Sequence, residues 1–411
     1  MVAGLSLAVS LALPAAAMAV FPGENGKIAY VSGRGGAPND DSSADVFILN
    51  GPGDTDPRQL TFQAGQHRHP AWSPDLKTIA YARWNTANDE KIFLDDLDDQ
   101  GPANERLGLT ASNVRDDRPA WNPKGNKIAY ESEVTDGSGQ MDILVTNVKT
   151  KATVNLTDTP NLIEGKPVWS RDGKTIYYSR RGLPPATDDD ILSEPADNSG
   201  IPSAVLISAV AEYQPALSPR RNAMCFTRGP FGTANADVFT LRPVSLFGTE
   251  VDLSDSSTGA YNCAYSPEGD KIAFVEGTFT NGALRFENSD DSGTSSLLAP
   301  DSPTHFDGNP DWAPKHPPFC QGKPATIART DGPDDFRGTN ERDVIAAFGA
   351  RDVVRGRKGK DFICGGKGRD KLRGGPGKDK LFGEEGRDTL VGGPGKDKCI
   401  GGPGRDEKVS C

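Results

Sequence analysis

The chain has 411 residues, including 47 Gly and 32 Pro; 35% of residues are hydrophobic, 25% are charged, and the formal net charge is −11. This length allows two or three domains with a sizeable core. So much Gly and Pro, without a long helical pattern, excludes a mainly helical protein and predicts an all-β one with many turns.

The first segment predicts export. Residues 2–13 are apolar and mostly small, and Ala17-Met18-Ala19 fits an A-x-A cleavage site before Val20. We therefore expect a secretory signal peptide over residues 1–19, with a buried N-terminal helix as the alternative. No Lys or Arg precedes the apolar run, so the true start of the signal stays open. The stretch is too short to span a bilayer, and no later segment is long and apolar enough.

A long repeat follows the signal. Each unit pairs a P-x-W-S-P segment such as Pro70-Ala71-Trp72-Ser73-Pro74 with a K-I-A-Y segment such as Lys127-Ile128-Ala129-Tyr130. The aromatic or leucine position recurs every 47 to 49 residues, at Trp72, Trp121, Trp169, Leu217, Tyr265 and Trp312. Two more strand-like segments complete each unit. A four-stranded unit of this length cannot bury both faces alone, which predicts the blades of a β-propeller.

The two ends of the array predict ring closure. The last copy, Pro310-Asp311-Trp312-Ala313-Pro314, has no K-I-A-Y partner after it, whereas the N-terminal Gly26-Lys27-Ile28-Ala29-Tyr30 has no P-x-W-S-P partner before it. Joining them gives six complete blades within residues 20–316 and leaves no open sheet edge.

These segments resemble the WD-like repeats of the TolB propeller family. The unit around Leu217 departs most, with Arg220-Arg221 in place of the usual D-G turn. The resemblance implies the propeller fold and a tendency to bind peptides or proteins. No α/β domain of the TolB kind precedes the repeats, so a Tol-Pal role is not implied.

Candidate binding residues lie just before the P-x-W segments, because inner strands line a propeller's channel. Three positions before the proline position stand His67, Asp116, Glu164, Glu212, Ala260 and Asp307, and one position before it stand His69, Arg118, Lys166, Gln214, Asn262 and Asn309. We expect an acidic ring beside a basic and amide ring, suited to a cation, a peptide terminus or a sugar acid. The alternative is that these are solvated turn residues that tie strands together.

One histidine cluster indicates a possible metal site. His67 and His69 are two apart on a predicted strand and so point to the same face, where His305 or Asp307 would complete the ligand set. Lyases of pectate fragments with a propeller fold use channel histidines, so a metal-dependent sugar-acid lyase or hydrolase is the alternative function. An exposed His-rich turn is the commoner explanation of such a pattern. No G-x-S-x-G elbow, P-loop or dinucleotide fingerprint is present.

After a linker at residues 317–329, a nine-residue period occupies residues 330–411. Aspartate recurs at every ninth position from Asp334 to Asp406, and from Gly356 the unit reads G-x-x-G-x-D-x-U-x. This pattern resembles the RTX calcium-binding repeat, which implies a parallel β-roll with Ca²⁺ bound by loop carbonyls and carboxylates. The expected ligands come from Gly359, Asp361, Gly368, Asp370, Gly377, Asp379, Gly386, Asp388, Gly395, Asp397, Gly404 and Asp406. The alternative is a disordered Gly-rich tail.

The residue before each aspartate departs from the RTX pattern. It is Lys360, Arg369, Lys378, Arg387, Lys396 and Arg405, where short neutral or acidic residues are more usual. Residues 324–411 carry 19 Lys and Arg against 15 Asp and Glu, whereas the rest of the chain carries 27 against 42. We therefore expect modest calcium affinity and contact with anionic envelope polymers. Nucleic acid is the weaker prediction because aromatic residues are nearly absent from the tail.

The six cysteines predict disulfides in an exported chain. Proximity favours Cys320–Cys364 and Cys399–Cys411, and elimination then leaves Cys225–Cys263, although connectivity stays a guess. Together the patterns predict a secreted or envelope-associated, non-catalytic binding protein. Its propeller would recognise a protein, peptide or anionic glycan, and Ca²⁺ would order its β-roll. A purely structural or adhesive envelope module is a further alternative.

Overall fold

The structure is a computed structural model. It describes residues 25–33, 44–84, 90–97, 105–106, 108–110, 114–133, 139–182, 189–208, 210–219, 222–230, 235–245, 248–254, 258–277, 282–289, 296–297, 307–315, 317–329 and 332–411. The predicted signal peptide and His305 lie outside these residues. Within the described part every regular element is a strand, and no helix there is long and apolar enough to cross a membrane.

Five blades are formed by strands that follow one another in the chain and pair antiparallel in sequence order. Blade 1 contains β4 (Gln66–Trp72), β5 (Thr78–Trp84), β6 (Glu90–Asp96) and β7 (Glu105–Arg106). Blade 2 contains β8 (Asp116–Trp121), β9 (Lys127–Glu133), β10 (Met141–Asn147) and β11 (Thr153–Asn155). Blade 3 contains β12 (Leu162–Trp169), β13 (Thr175–Gly182), β14 (Asp190–Pro195) and β15 (Ser203–Leu206). Blade 4 contains β16 (Glu212–Leu217), β17 (Met224–Arg228), β18 (Asp237–Arg242) and β19 (Thr249–Asp252). Blade 5 contains β20 (Ala260–Tyr265), β21 (Lys271–Glu276), β22 (Ala283–Asn288) and β23 (Ser296–Leu297).

The sixth blade joins the two ends of the repeat array, as predicted. It contains β1 (Asn25–Ser32), β2 (Asp45–Leu49), β3 (Arg58–Gln59) and β24 (Asp307–Pro314), and we call it the closure blade. The N-terminal β1 pairs antiparallel with β24, with Ile28 opposite Trp312. Asn25 also exchanges hydrogen bonds with Glu268 of blade 5, at 3.1 Å each. The ring is therefore closed by pairing within a blade and by contacts between blades.

The propeller core lies between blades. Trp121 of blade 2 packs with Ile92 of blade 1, and Trp312 of the closure blade packs with Leu284 of blade 5. Each blade packs one face against the blade before it and the other face against the blade after it. Because every blade needs the same apolar strand for this packing, the K-I-A-Y segment recurs at a constant interval.

The C-terminal repeats form a two-sheet parallel solenoid in which 18 residues make one coil. The first sheet contains β27 (Ile327–Ala328), β29 (Val344–Ala346), β31 (Phe362–Gly368), β33 (Lys380–Gly386) and β35 (Lys398–Ile400). The second sheet contains β28 (Asp335–Arg337), β30 (Val353–Arg355), β32 (Lys371–Arg373), β34 (Thr389–Val391) and β36 (Glu407–Val409). The residues at the U position of the nine-residue unit form one core cluster: Phe336, Ile345, Val354, Ile363, Leu372, Leu381 and Leu390.

The segment expected to be a linker, residues 317–329, is folded onto the solenoid. It carries a short hairpin of β25 (Phe319–Cys320) and β26 (Lys323–Pro324), and β27 then begins the first sheet by pairing with β29. The disulfide Cys320–Cys364 attaches this hairpin to β31. The solenoid therefore begins before residue 330. The sequence did not indicate this start because the first coil lacks the Gly-Asp motif that marks the later coils.

The other two disulfides also form as predicted. Cys225–Cys263 joins blades 4 and 5, and Cys399–Cys411 lies in the last coil of the solenoid. All six cysteines are bonded.

Candidate functional site

Each inner strand of the propeller is interrupted at the same place. The pairing of the inner strand with its neighbour shifts register beside the residue that precedes the P-x-W segment, as between Arg68 and Ala71 in blade 1. At that point all six blades have a non-glycine residue with positive φ, between 48° and 58°: His69, Arg118, Lys166, Gln214, Asn262 and Asn309. Left-handed backbone costs a non-glycine residue on the order of 1–2 kcal/mol. Because this unfavourable conformation recurs in all six blades, we infer that the direction it gives to these six side chains has a role in the protein.

These six residues surround the mouth of the central channel. Together with the residues that follow them they line a cavity of about 170 Å³. His69, Arg118 and Lys166 occupy one half of the ring, and the carboxamides of Gln214, Asn262 and Asn309 occupy the other. Asn262 Nδ2 donates to Asn309 Oδ1 at 2.6 Å, which orients the amide half. The mouth therefore presents cationic and amide hydrogen-bond donors.

The expected acidic ring does not lie at this mouth. Asp116, Glu164 and Glu212 are almost fully buried and accept hydrogen bonds from Ser132, Thr159 and Arg228 respectively. Burial raises the pKa of both Glu164 and Glu212. Asp307 begins β24, and its side chain lies outside the described part. These carboxylates hold strands and loops together, as in the alternative interpretation of that ring, but they are buried and not solvated.

The two adjacent histidines point apart. His67 is fully buried, with Nδ1 3.0 Å from Oδ1 of Asp45 in the closure blade. His69 Nδ1 lies 2.7 Å from Oδ1 of Asp117 in blade 2. The expectation that they share a face is wrong because the bulge at His69 breaks the alternation of the strand. Within the described residues, no group of three or more His, Cys, Asp or Glu side chains is placed to hold a metal ion.

Buried carboxylates support the cationic half of the mouth from below. Glu131 Oε1 lies 3.3 Å from Arg118 Nε, and its Oε2 accepts the Lys166 backbone N–H at 3.0 Å. Lys166 Nζ lies 3.6 Å from Asp189 Oδ2 and 4.3 Å from the Tyr213 ring centroid. Burial lowers the pKa of Lys166 to about 8, and burial with the nearby Arg118 lowers that of His69. Arg118 is therefore the permanent cation of the ring.

A larger cavity beside the mouth was not predicted. It has a volume of about 580 Å³ between blades 2, 3 and 4, and Glu131, Tyr213, Asp189 and Arg181 line it together with Arg118 and Lys166. One signal was available in the sequence: the residue after the K-I-A-Y aromatic is Glu131 in blade 2, whereas most other units have a small or apolar residue there. Asp189 carries no repeat signal.

In the solenoid, the aspartates form two ladders inside the coil. Six of them, Asp343, Asp352, Asp361, Asp370, Asp379 and Asp388, are at most 3% exposed. Oδ1 of each rung accepts the backbone N–H of the aspartate 18 residues earlier, as Asp361 does from Asp343 at 2.9 Å. The same bond recurs along both edges at 2.8 to 3.0 Å.

The other carboxylate oxygen is left for a cation. Oδ2 is buried without a hydrogen-bond partner in Asp352, Asp361, Asp370, Asp379, Asp388 and Asp397. Burial, together with like charge on neighbouring aspartates, raises the pKa of Asp352 and Asp361 to about 7 and that of Asp370 to about 6. Unpaired buried carboxylates are costly, and a bound cation would remove that cost. The donor set therefore fits Ca²⁺.

Backbone carbonyls border the same oxygens. A Cβ on Gly374 would lie 2.4 Å from Asp379 Oδ2 and 2.7 Å from the Gly392 carbonyl oxygen, so only glycine leaves room for both. The equivalent carbonyls of Gly383 and Gly401 border Asp370 and Asp388. The first glycine of each unit was not among the predicted ligands, which were the fourth-position glycines. At the first coil, Asp343 Oδ2 instead accepts the Thr339 N–H at 2.7 Å, which closes that position.

Comparisons with known proteins agree with both parts of this geometry. The TolB beta propeller domain model matches residues 19–242, and the RTX calcium-binding nonapeptide repeat model matches residues 330–363, 337–372 and 373–407. TolB from Acinetobacter baumannii has a TM-score of 0.55 and 19% identity, covering 72% of this chain and 68% of that chain. A chain of Kuenenia stuttgartiensis hydrazine synthase has a TM-score of 0.55 and 12% identity, covering 74% and 48%. A chain of a nidogen/laminin complex has a TM-score of 0.51 and 11% identity, covering 71% and 100%. These low identities show the fold alone. No curated protein sequence matches this chain.

Proposed function

We propose that this chain, which belongs to the TolB β-propeller domain family and continues into RTX calcium-binding repeats, is an exported, non-catalytic binding protein. The channel mouth would recognise an anionic group on a protein, peptide or glycan. The solenoid would fold when it binds calcium outside the cytoplasm.

The observation that carries the proposal is the ring of left-handed residues at the mouth. It supplies hydrogen-bond donors from all six blades and an Arg118 guanidinium suited to bidentate contact with a carboxylate. Since Asp116, Glu164 and Glu212 are buried within blades, an anionic ligand is favoured over a cation. The amide half would donate hydrogen bonds to carbonyl or hydroxyl oxygens of the same ligand and accept hydrogen bonds from its hydroxyl groups.

A metal-dependent lyase or hydrolase is less well supported. It would require His67, His69 and a third ligand around one ion, and His67 is turned into the blade against Asp45. His69 is engaged by Asp117 of the next blade. Metal analysis after dialysis against EDTA tests this point, because retained zinc or manganese that is lost in His69→Ala would favour the enzyme.

In the solenoid, Asp352, Asp361, Asp370, Asp379, Asp388 and Asp397 would hold calcium together with glycine carbonyls. Calcium supplies positive charge to oxygens that have no other partner. The folding free energy gained on binding would then be available only where calcium is abundant, as outside the cell. The disulfides support the same compartment.

Calorimetry on the full chain tests the mouth. The probes are short peptides with free C-termini and glucuronate, with amidated peptides and glucose as neutral controls. We expect only the carboxylated probes to bind. Arg118→Gln should weaken binding by at least about tenfold, since it removes a charge-assisted hydrogen-bonding group. Lys149→Gln, at an exposed turn of blade 2, is the control. Equal binding of charged and neutral probes, or no binding of either, would contradict the proposal.

A further inference from the structure

The basic residues before the ladder aspartates separate into two columns on opposite edges of the solenoid. Since 18 residues make one coil, alternate repeats fall on the same edge. One edge carries Arg351, Arg369, Arg387 and Arg405, and the other carries Arg342, Lys360, Lys378 and Lys396. All eight side chains are exposed. The first edge is therefore a pure arginine column, which we call the arginine ladder.

The positive charges of the arginine ladder are not paired with acidic side chains of the described solenoid. Within residues 332–411, none of its four guanidinium groups forms an ion pair; the ion pairs there are Arg355 with Asp335 and Lys367 with Glu385. Parallel strands are about 4.8 Å apart, so neighbouring rungs repel one another. Two more exposed arginines, Arg337 and Arg373, lie on the outer face of the adjoining second sheet.

Charge balance cannot be restored from within the coil. Of the 15 acidic residues from 324 on, six are ladder aspartates buried inside, which leaves nine against 19 Lys and Arg. Calcium bound to the inner carboxylates would make the domain more positive still. A bound polyanion would lower this repulsion.

We propose that the arginine ladder binds a linear acidic polysaccharide that lies along the solenoid axis, with its sugar carboxylates paired to the guanidinium groups of the rungs. A guanidinium pairs bidentately with a carboxylate, and a pyranose ring is about as long as the spacing between strands. The inference deepens the glycan partner of the proposed function and depends on it only in requiring a folded solenoid.

Other polyanions fit this surface less well. Single-stranded nucleic acid would need aromatic platforms, but the second sheet's outward residues are Asp335, Arg337, Val353, Arg355, Lys371, Arg373, Thr389, Val391, Glu407 and Val409. Duplex DNA carries one charge per about 1.7 Å of its axis, which does not match the rungs. The lysine edge is partly occupied, because Arg342 lies over the Phe362 ring.

Two triple variants form a matched test, because both remove three positive charges from the same repeat position. Arg369→Gln/Arg387→Gln/Arg405→Gln alters the arginine ladder, and Lys360→Gln/Lys378→Gln/Lys396→Gln alters the lysine edge. Binding of the calcium-loaded full chain to β-1,4-polyglucuronate is measured by biolayer interferometry at several salt concentrations. We expect the arginine variant to bind about tenfold more weakly, since three exposed pairs each worth a factor of two to three are lost. The lysine variant should lose less than about threefold.

Several outcomes would overturn the inference: equal losses in both variants, no binding by the native chain, or tighter binding to duplex DNA or to phosphatidylserine vesicles than to the polysaccharide. Circular dichroism of each protein with and without calcium separates the two proposals. A calcium response without polymer binding refutes the arginine-ladder inference alone. An absent calcium response refutes the proposed folding of the solenoid.

Discussion

The backbone N–H of Trp72 donates a hydrogen bond of 2.7 Å to Oδ2 of Asp311, which lies 239 residues later in the chain. Trp72 belongs to blade 1 and Asp311 to β24 of the closure blade, so this bond crosses the seam of the ring. The equivalent residues of the other blades are Ala71, Ala120, Val168, Ala216 and Ala264. A carboxylate therefore stands at the seam where every other blade has a small or apolar residue.

This carboxylate should make ring stability depend on pH. Burial raises the pKa of Asp311 from 3.8 to about 6. Because the folded-state pKa is the higher one, the contribution of Asp311 to stability is complete below pH 3.8 and is lost as the pH rises through about 6. Asp311→Asn keeps an acceptor for the Trp72 N–H without the charge. We expect it to raise the free energy of unfolding at pH 8 by about 1–2 kcal/mol, allowing for partial exposure, and to have little effect at pH 4.

Urea unfolding followed by tryptophan fluorescence at both pH values measures the difference. Asp56→Asn, which neutralises an exposed carboxylate between β2 and β3, is the control and should show no such pH dependence. A constant difference between native and Asp311→Asn protein from pH 4 to pH 8 would contradict the prediction.

Removal of calcium should unfold the solenoid and spare the propeller. All five tryptophans lie before residue 317, so their fluorescence reports the propeller alone, whereas far-ultraviolet circular dichroism reports both parts. In thermal unfolding with EDTA, we expect part of the far-ultraviolet dichroism to be lost at low temperature. The unfolding transition followed by tryptophan fluorescence should stay where it is in calcium. Calcium at 100 times its dissociation constant should stabilise the solenoid by about 2.7 kcal/mol per site. Magnesium is the control, because it prefers a smaller octahedral site and should stabilise the solenoid less than calcium does. A dichroism profile insensitive to EDTA would argue against calcium.

Gly377→Ala should prevent coils from stacking. A Cβ at residue 377 would lie 1.7 Å from the Gly359 carbonyl oxygen, and this backbone contact leaves no room for adjustment. We expect the calcium-dependent change in dichroism to disappear, with a loss of more than about 4 kcal/mol in solenoid stability. Gly33→Ala places a methyl group where nothing lies within 4 Å and should behave as the native chain. A normal calcium response in Gly377→Ala would show that the coil does not pack this closely.

The disulfide Cys320–Cys364 should stabilise the start of the solenoid more than Cys399–Cys411 stabilises its end. The paired residues are 44 apart in the first case and 12 in the second. Loop-closure entropy then predicts losses of about 4 and about 3 kcal/mol for the respective Cys→Ser double variants. Hydrogen exchange should increase at residues 317–328 only in Cys320→Ser/Cys364→Ser. Equal protection of that hairpin in both variants would mean that packing alone holds it.

Much of the fold could be predicted from the sequence because each sequence period corresponds to one structural unit. A spacing of 47 to 49 residues marks one four-stranded sheet, and the unmatched halves at Lys27-Ile28-Ala29-Tyr30 and at Trp312 identified the closure blade. The nine-residue period placed Ile345, Ile363 and Leu381 in one core. Pairing of cysteines by proximity also agreed with the structure, since consecutive repeats are neighbours in space.

The site at the channel mouth could be predicted only in part from the sequence. The residues directly before the P-x-W segments do surround the channel mouth, but the bulge that aims them there also turns His67 away from His69. Strand alternation predicts side-chain direction only while the register is regular. Glu131 and Asp189 enter the site from other strands and loops, and their contacts with Arg118 and Lys166 join residues from blades 2 and 3.

The sequence by itself determined the blade count, the coil length, the nine-residue period of the aspartates and the basic residue before most of them, because each follows from a repeated local pattern. Tertiary structure alone decided which charges meet. It buried Asp116, Glu164 and Glu212 within blades, turned the ladder aspartates into the coil, and left Oδ2 without a partner in six of them, from Asp352 to Asp397. Those outcomes depend on distances between residues far apart in the chain, which a period does not specify.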